Sequence, residues 1–277
     1  MEIFIARKVP ASKSRAGSER MSGLMADFTI HRVETIDSTN TQLLQWSAMQ
    51  NCHRVALVAD EQIAGRGQHG RRWHAQPGAA LLCSVAWQFD RHCPLDGLSL
   101  AVGVMIADAL IERLNDSTAN RLSLKWPNDL LIDEARKLGG ILIETVAGRG
   151  GARTAVVGIG INLRTPLAAL LPDALPGIGL DFWTETQNHR DEVLTRVLVA
   201  LEHGLVRFAR DGFAGFQDQW WARSAYTGKG VTCRLPDGEI VSGKLLSITD
   251  RGALVLESER GLHTLVSGEV SLRAASS

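Results

Sequence analysis

The stretch IAGRGQHGRRW, residues 63–73, holds three glycines and three arginines in eleven positions. Glycine lets backbone N–H groups come close to a ligand and lets a loop change shape. Arginine offers a fixed, bidentate set of donors to carboxylate or phosphate. Together they predict a cationic flap closing over a small anion, with a solvated basic turn as the plainer alternative. Gly65, Gly67 and Gly70 also spell G-x-G-x-x-G. A dinucleotide site needs a helix to begin inside that loop, so that its N-terminus meets the pyrophosphate. Pro77-Gly78 follow instead, and a strand pattern resumes. That reading fails, and no G-x-x-x-x-G-K-[ST] phosphate loop occurs either.

A second chemical group stands in LKWPNDLL (124–131). Lys125 ends a strand-like run beside Trp126, just before a proline break. Alone it reads as a surface lysine with a buried stem; with the arginine loop, a shared anion site becomes credible. RKLGGILIE (136–144) places Gly139 and Gly140 inside a β-run, where glycine marks a bulge or a close approach. Cys52, Cys83, Cys93 and Cys233 are scattered and read as inert thiols of a reducing compartment. No His or Cys spacing suggests a metal held by protein ligands alone, and no Ser–His or Cys–His signature suggests a nucleophile.

Thirty basic residues balance thirty acidic ones. Proteins that neutralise nucleic-acid backbones usually carry a basic surplus, so DNA is not an expected partner and the cationic loop suits a small ligand. No apolar run reaches the roughly 18 residues of a membrane span, which leaves the cytoplasm as the expected location.

Elements must position these groups. FTIHRVETI (28–36), RVALVADEQI (54–63) and ALLCSVAWQF (80–89) read as strands. Asp37–Asn40 supply a helix cap ahead of a helix over 41–50. Residues 97–114 are apolar around most of a helix, hence buried. KLGGILIETV (137–146) and TAVVGIGINL (154–163) form a probable hairpin by pattern. A Pro-rich linker (166–178) leads to an amphipathic helix with Val193, Leu194, Val197, Leu198, Leu201 and Leu205 at helical spacing. From Tyr226, turn signals about every ten residues predict a small antiparallel β-barrel. The expected division is an N-terminal extension that is disordered or precedes the true start (1–27), a mixed α/β (α+β) body (28–225) and the barrel (226–277).

Taken together, TIDSTN (35–40), EQIAGRGQHGRRW (61–73), KWPNDLL (125–131), KLGGILIE (137–144) and GIGINL (158–163) resemble the biotin–protein ligases, in the family's order. The resemblance covers about residues 29–273. It implies a catalytic domain related to class II aminoacyl-tRNA synthetases and lipoate ligases, followed by a small C-terminal domain. It also implies a two-step reaction: biotin and MgATP give biotinyl-5′-adenylate and pyrophosphate, then a carrier lysine displaces AMP. ATP with Mg²⁺ and biotin enter as substrates, with no tightly bound prosthetic group.

By that resemblance Lys125 and Arg66 are the catalytic candidates, Lys125 lying between carboxyl and phosphate. Ser38, Thr39, Asn40, Gln62, Gly67 and Gln68 complete the biotin set. Arg71, Trp73, Asn128 and Asn162 fall on the nucleotide side, with Asn128 and Asn162 equally readable as turn residues. Gly65, Gly70, Gly139 and Gly140 are the close-approach glycines. Ser38–Asn40 would look the same as a simple helix cap. The implied partner is the biotin carboxyl carrier domain of acetyl-CoA carboxylase, and of other carboxylases; an exposed sheet edge could serve a homodimer or the carrier.

Two departures stand out. Many members repeat arginine where this chain has Gln68, which predicts looser retention of the adenylate. Members with a repressor role carry an N-terminal DNA-binding domain, and only about 34 residues precede TIDSTN, so a ligase without that role is expected. A lipoate or octanoate ligase of the same superfamily, and a non-catalytic biotin sensor, are the alternatives.

Overall fold

The computed structural model describes residues 18–20, 27–111, 121–147, 152–166, 175–182, 190–234, 239–266 and 271–274. An eight-stranded sheet runs in the order β1-β2-β3-β4-β8-β7-β6-β5. Its strands are β1 (Ser18–Arg20), β2 (Thr29–Ile36), β3 (Val55–Gln62), β4 (Ala80–Phe89), β5 (Leu122–Lys125), β6 (Asp129–Ile132), β7 (Arg136–Ala147) and β8 (Arg153–Asn162). Among the ladders of this sheet in the described residues, β2–β3 is parallel and the others are antiparallel. The body is the expected mixed α/β fold. Ser18–Arg20 extends the sheet from within the expected N-terminal extension, whose other residues up to 26 lie outside the described residues.

The alternation of strand side chains divides the sheet into two faces. On one face of β4 and β8, Cys83, Val85, Val157 and Ile159 join the main core with α2 (Leu98–Ile111) and α3 (Arg190–Asp211). Nearly every residue of α2 is buried, as its continuous apolarity predicts. The last residues expected of that helix, 112–114, lie outside the described residues. Along α3, Val193, Leu194, Val197, Leu198, Leu201, Leu205 and Phe208 are buried at three- and four-residue spacing. Burying each such side chain contributes about 1.5–3 kcal/mol. Gly204 lets α3 cross α2 closely, since a Cβ there would meet Met105 Sδ at 2.4 Å.

The other face of β4 and β8 carries small residues: Ser84 and Ala86 opposite Gly158 and Val156. Here lies α1 (Thr39–Met49), packing Leu43 against Ala86 and Val156. It starts two residues earlier than its apolar pattern suggested, because Ser38 takes the N-cap, its hydroxyl accepting from the Thr41 N–H at 3.4 Å.

The C-terminal part is a five-stranded antiparallel sheet, β12-β11-β10-β9-β13, made of β9 (Gly230–Arg234), β10 (Ile240–Ile248), β11 (Leu254–Ser258), β12 (Gly261–Leu265) and β13 (Ser271–Ala274). This is the expected small antiparallel β domain, with β12 and β13 as the outer strands of the order among the described residues. Leu245, Leu254 and Leu256 belong to the same core as the body. Trp126, buried at the end of β5, donates its indole N–H to Gly252 O at 3.0 Å. From the short α4 (Gln217–Ala222), Gln217 donates to Ile248 O at 2.6 Å. The small sheet thus braces the strand end that carries Lys125.

One expectation is corrected. Part of the presumed linker is packed structure: Lys137 N–H donates to Pro176 O at 2.8 Å, and Ile178 N–H to Lys137 O at 3.0 Å. Ile178 is buried in the core. Residues 167–174 of that stretch lie outside the described residues.

Candidate active site

On the α1 face, the β7–β8 ladder presents Glu144 opposite Val156, Leu142 opposite Gly158, and Gly140 opposite Gly160. The paired glycines leave a floor with no side chains, and the sequence-selected residues collect around it.

The first turn of α1 forms a polar wall. Ser38, Thr39 and Asn40 are all buried. Gln62, at the end of β3, accepts from the Thr39 N–H at 2.7 Å and from its hydroxyl at 3.1 Å. That fixes the carboxamide, leaving Nε2 on the side of Gly65. Thr39 Oγ1 lies 2.8 Å from Ser84 Oγ, and Ser84 Oγ donates to Asn40 Oδ1 at 3.0 Å. Asn40 Nδ2 donates to Glu144 Oε2 at 2.8 Å. Asn40 can lie this close to β8 because residue 158 is glycine: a Cβ there would stand 2.7 Å from Asn40 Oδ1. Ser38–Asn40 are therefore both a helix cap and a buried donor–acceptor array.

The glycine loop starts as an extension of β3, with the Ile63 and Ala64 N–H groups bonded to Ile36 O and Asp37 O. Arg66 and Arg72 bridge, and Gln68–Gly70 make a single 3₁₀ turn between them. The Arg66 guanidinium is held by Glu144 through Nη1–Oε2 at 3.0 Å and Nη2–Oε1 at 2.8 Å. Nη1 also donates to Thr41 Oγ1 at 3.3 Å. Arg71 and Arg72 are exposed, and Gln68 and Gly67 are half-buried at the turn.

Trp73 closes the loop over the glycine floor. A Cβ on Gly160 would stand 2.6 Å from its Cε2, and one on Gly140 3.3 Å from its Cζ3. Its indole N–H is buried without a hydrogen-bond partner among the described residues.

The lysines stand at the edge of the same floor. Lys125 is 6% exposed, with Nζ 3.8 Å from Asp129 Oδ2. Lys137 Nζ lies 2.6 Å from Asp129 Oδ1 and 5.6 Å from the Trp73 ring centre. The Lys137 contact is ionic rather than a well-aligned hydrogen bond, since Asp129 Oδ1 lacks a partner of hydrogen-bond geometry. Two ammonium groups thus meet at one carboxylate, and the low exposure of Lys125 strengthens its pull on an anion.

Three glycine readings need refinement. Gly65 and Gly139 are close-approach positions, but the group approached is protein backbone: a Cβ would meet Trp73 O and Gly160 O, each at 2.6 Å. At Gly70 no atom of the described residues lies within 4 Å of a would-be Cβ, and its φ of +71° serves the turn. Asn128 and Asn162 are both structural anchors. Asn128 Nδ2 donates to Ile141 O at 2.8 Å, and Asn162 Nδ2 is 3.2 Å from both Lys137 O and Ile178 O. Asn162 thereby fixes the backbone that carries Lys137.

Sequence reasoning did not select Lys137, Asp129, Glu144, Ser84, Gly158 or Gly160. The alternation in GIGIN was the available signal for the two glycines, since period two puts both on one face of a strand. The cysteines lie away from this chemistry; Cys83 is in the core, where desolvation pushes its thiol up to about 12.

The chain matches the biotin/lipoate A/B protein ligase family over residues 33–162 and the biotin protein ligase C-terminal domain over residues 226–273. It is 31% identical to the bifunctional ligase/repressor BirA of Escherichia coli, over 93% of this chain and 78% of that protein. It is 31% identical to the biotin–[acetyl-CoA-carboxylase] ligase of Paracoccus denitrificans, over 84% of this chain and 96% of that protein. Among solved structures, the biotin protein ligase of Aquifex aeolicus in complex with biotin and ATP superposes with a TM-score of 0.73 at 29% identity, covering 89% of this chain and 99% of that one.

Proposed function

Because the chain belongs to the biotin protein ligases of the biotin/lipoate A/B protein ligase family, we propose that it activates biotin with ATP and transfers the biotinyl group to a carrier-protein lysine. The carrying observation is the convergence of Lys125 and Lys137 on Asp129 at the rim of a glycine floor covered by the arginine loop.

The reaction must first bring a carboxylate oxygen onto the α-phosphorus of MgATP. An O–P bond forms, the bond to the β-phosphate oxygen breaks, and pyrophosphate leaves. Both reactants are anions, so preorganised cations lower the barrier most where charge accumulates. Lys125 and Lys137 supply those cations, and Asp129 holds them in place. Arg71, exposed on the loop, reaches the phosphates as the loop closes. In the second step the carrier lysine amine attacks the anhydride carbonyl. A C–N bond forms, the C–O bond to phosphate breaks, and the nitrogen loses a proton as AMP departs. No enzyme nucleophile is needed.

The polar wall suits the ureido ring of biotin, which both donates and accepts hydrogen bonds. Ser38, Thr39 and the Gln62 carboxamide offer matching groups in a buried setting. A dithiolane or an alkyl chain offers this wall no hydrogen bonds in return and gains nothing from it, so lipoate and octanoate are disfavoured. Trp73 and the segment anchored by Asn162 support the nucleotide side. Loop closure keeps water from the adenylate until the carrier arrives.

The carrier is the biotin domain of a carboxylase, acetyl-CoA carboxylase first. A cytoplasmic setting is supported by the four free thiols; no helix among the described residues is long and apolar enough to cross a membrane. The testing experiment incubates the protein with biotin, MgATP and a purified carboxyl carrier domain. A mass increase of one biotinyl group on the carrier lysine supports the proposal; an unmodified carrier with a competent biotin ligase control succeeding contradicts it.

A further inference from the structure

The polar wall and the loop form one closed circuit. It runs from Gln62 through Thr39, Ser84 and Asn40 to Glu144, and returns through Arg66 to the loop that begins at Gln62. Since the Ser84 hydroxyl proton goes to Asn40, the single Thr39 hydroxyl proton is shared between Ser84 Oγ and Gln62 Oε1, while the Thr39 N–H holds the Gln62 carboxamide. Glu144 is the carboxylate of the circuit. It comes from the middle of β7, 104 residues from Asn40 and 78 from Arg66.

An isolated exposed ion pair would contribute little, and the Arg66 side chain is 46% exposed. Two features set this pair apart. Its geometry is bidentate, which fixes the guanidinium plane. The same Glu144 oxygen that meets Arg66 Nη1 also accepts from the amide of buried Asn40. Moving Arg66 therefore disturbs a buried group, and such networks resist partial breakage.

We propose that Glu144 is a positioning residue. It joins Arg66 to Asn40, so that the proximal loop, residues 63–67, and the first turn of α1 form one rigid unit, leaving residues 68–72 as the part that closes. Arg66 then frames the site in place of the anion clamp expected from the sequence, and the loop's anion contact falls to Arg71. The inference rests on the proposed function only for the identity of the ligand that the unit presents.

Amide hydrogen exchange on the whole, unliganded protein tests it without reference to any ligand. Glu144→Ala is expected to speed exchange about tenfold in both 39–42 and 63–67, as loss of a coupled contact does. Arg66→Ala should speed 63–67 chiefly and 39–42 less, since Asn40 keeps its Glu144 acceptor. The double variant should match Glu144→Ala rather than multiply the two effects. Glu144→Gln keeps an acceptor for Asn40 but loses the charge, so it should loosen the loop segment and spare 39–42; being nearly isosteric, it decides the matter if the alanine variant fails to fold. Wild-type exchange rates at 63–67 in the folded variants, or multiplicative effects, would overturn the proposal. In pyrophosphate exchange, Glu144→Gln should raise the biotin KM several-fold with kcat within about twofold; lost kcat at unchanged KM would contradict positioning. If the wild-type protein shows no biotin-dependent exchange, the functional reading fails while the hydrogen-exchange result still decides the role of Glu144.

Discussion

The Trp73 ring packs directly over Gly160: a methyl carbon on that glycine would stand 2.6 Å from Cε2 and 2.7 Å from Cζ2. An aromatic plate over a strand glycine gives the loop its seat, and the buried indole N–H has no hydrogen-bond partner among the described residues. Gly160→Ala should therefore unseat Trp73. Overpacking costs about 1–3 kcal/mol. We expect a modest fall in Tm and a rise of about tenfold in the KM for ATP, with the biotin KM changed less. Steady-state kinetics with each substrate varied in turn reads both; an unchanged ATP KM would separate Trp73 from the nucleotide.

Lys125 and Lys137 share Asp129 as an ion-pair partner, and the proposed reaction uses them as a pair. Removing one preorganised charge from an active site costs about 10²- to 10³-fold in kcat. Each single alanine variant should show a loss of that order in adenylate formation. The double variant should lose less than the product of the two, since groups acting as a unit are not additive. Single-turnover adenylate formation, followed by rapid quench, distinguishes this from independent contributions.

Much of this arrangement was legible in the chain, and the losses have physical reasons. The β4 run reads off its sequence to the residue, because nine apolar or small residues, interrupted only by Gln88, sit between turn signals. The helix over 190–211 shows its stripe equally well. The start of α1 lies two residues ahead of its apolar pattern because Ser38, Thr39 and Asn40 are polar yet buried, and an apolar pattern cannot mark them. No sequence pattern marks Lys137 and Glu144, because their partners, Asp129, Asn40 and Arg66, reach them through strand pairing and loop placement. The contact of Lys137 with Pro176 and Ile178 uses backbone groups alone, which leave no side-chain pattern.

The turn between β6 and β7 offers a pH test remote from the chemistry. Asp133 takes Arg121 at 2.7 and 2.8 Å and Arg136 at 2.5 Å, and these hydrogen bonds hold its carboxyl down at about 2. An unfolded aspartate titrates near 3.9. The folded state thus prefers the charged form, and the benefit is present above about pH 4 and fades as pH falls toward about 2. Asp133 has a φ of +51°, which asparagine also tolerates, so Asp133→Asn removes the charge without backbone strain. Surface screening limits the expected fall in Tm at pH 7 to about 3 °C or less. Thermal melts from pH 7 to pH 2 should show the two proteins converging; a constant gap would trace the loss to something other than charge.

Gln68 opens the 3₁₀ turn of the loop, half-buried, where an arginine would add a charge to the segment proposed to close over the adenylate. Gln68→Arg should slow release of the preformed adenylate by roughly three- to tenfold, the worth of one modest charge-assisted hydrogen bond. Dissociation of labelled adenylate from both proteins, measured by chase, checks this, and equal rates would show that residue 68 does not govern retention.

The most direct test of the central claim is ATP–pyrophosphate exchange by the purified protein with Mg²⁺, comparing biotin, lipoate, octanoate and no acid. Biotin alone should support exchange, and Lys125→Ala should abolish most of it. Exchange with lipoate or octanoate in place of biotin would contradict the ureido-binding role given to the wall of Ser38, Thr39 and Gln62, and no exchange with any acid would contradict the catalytic reading itself.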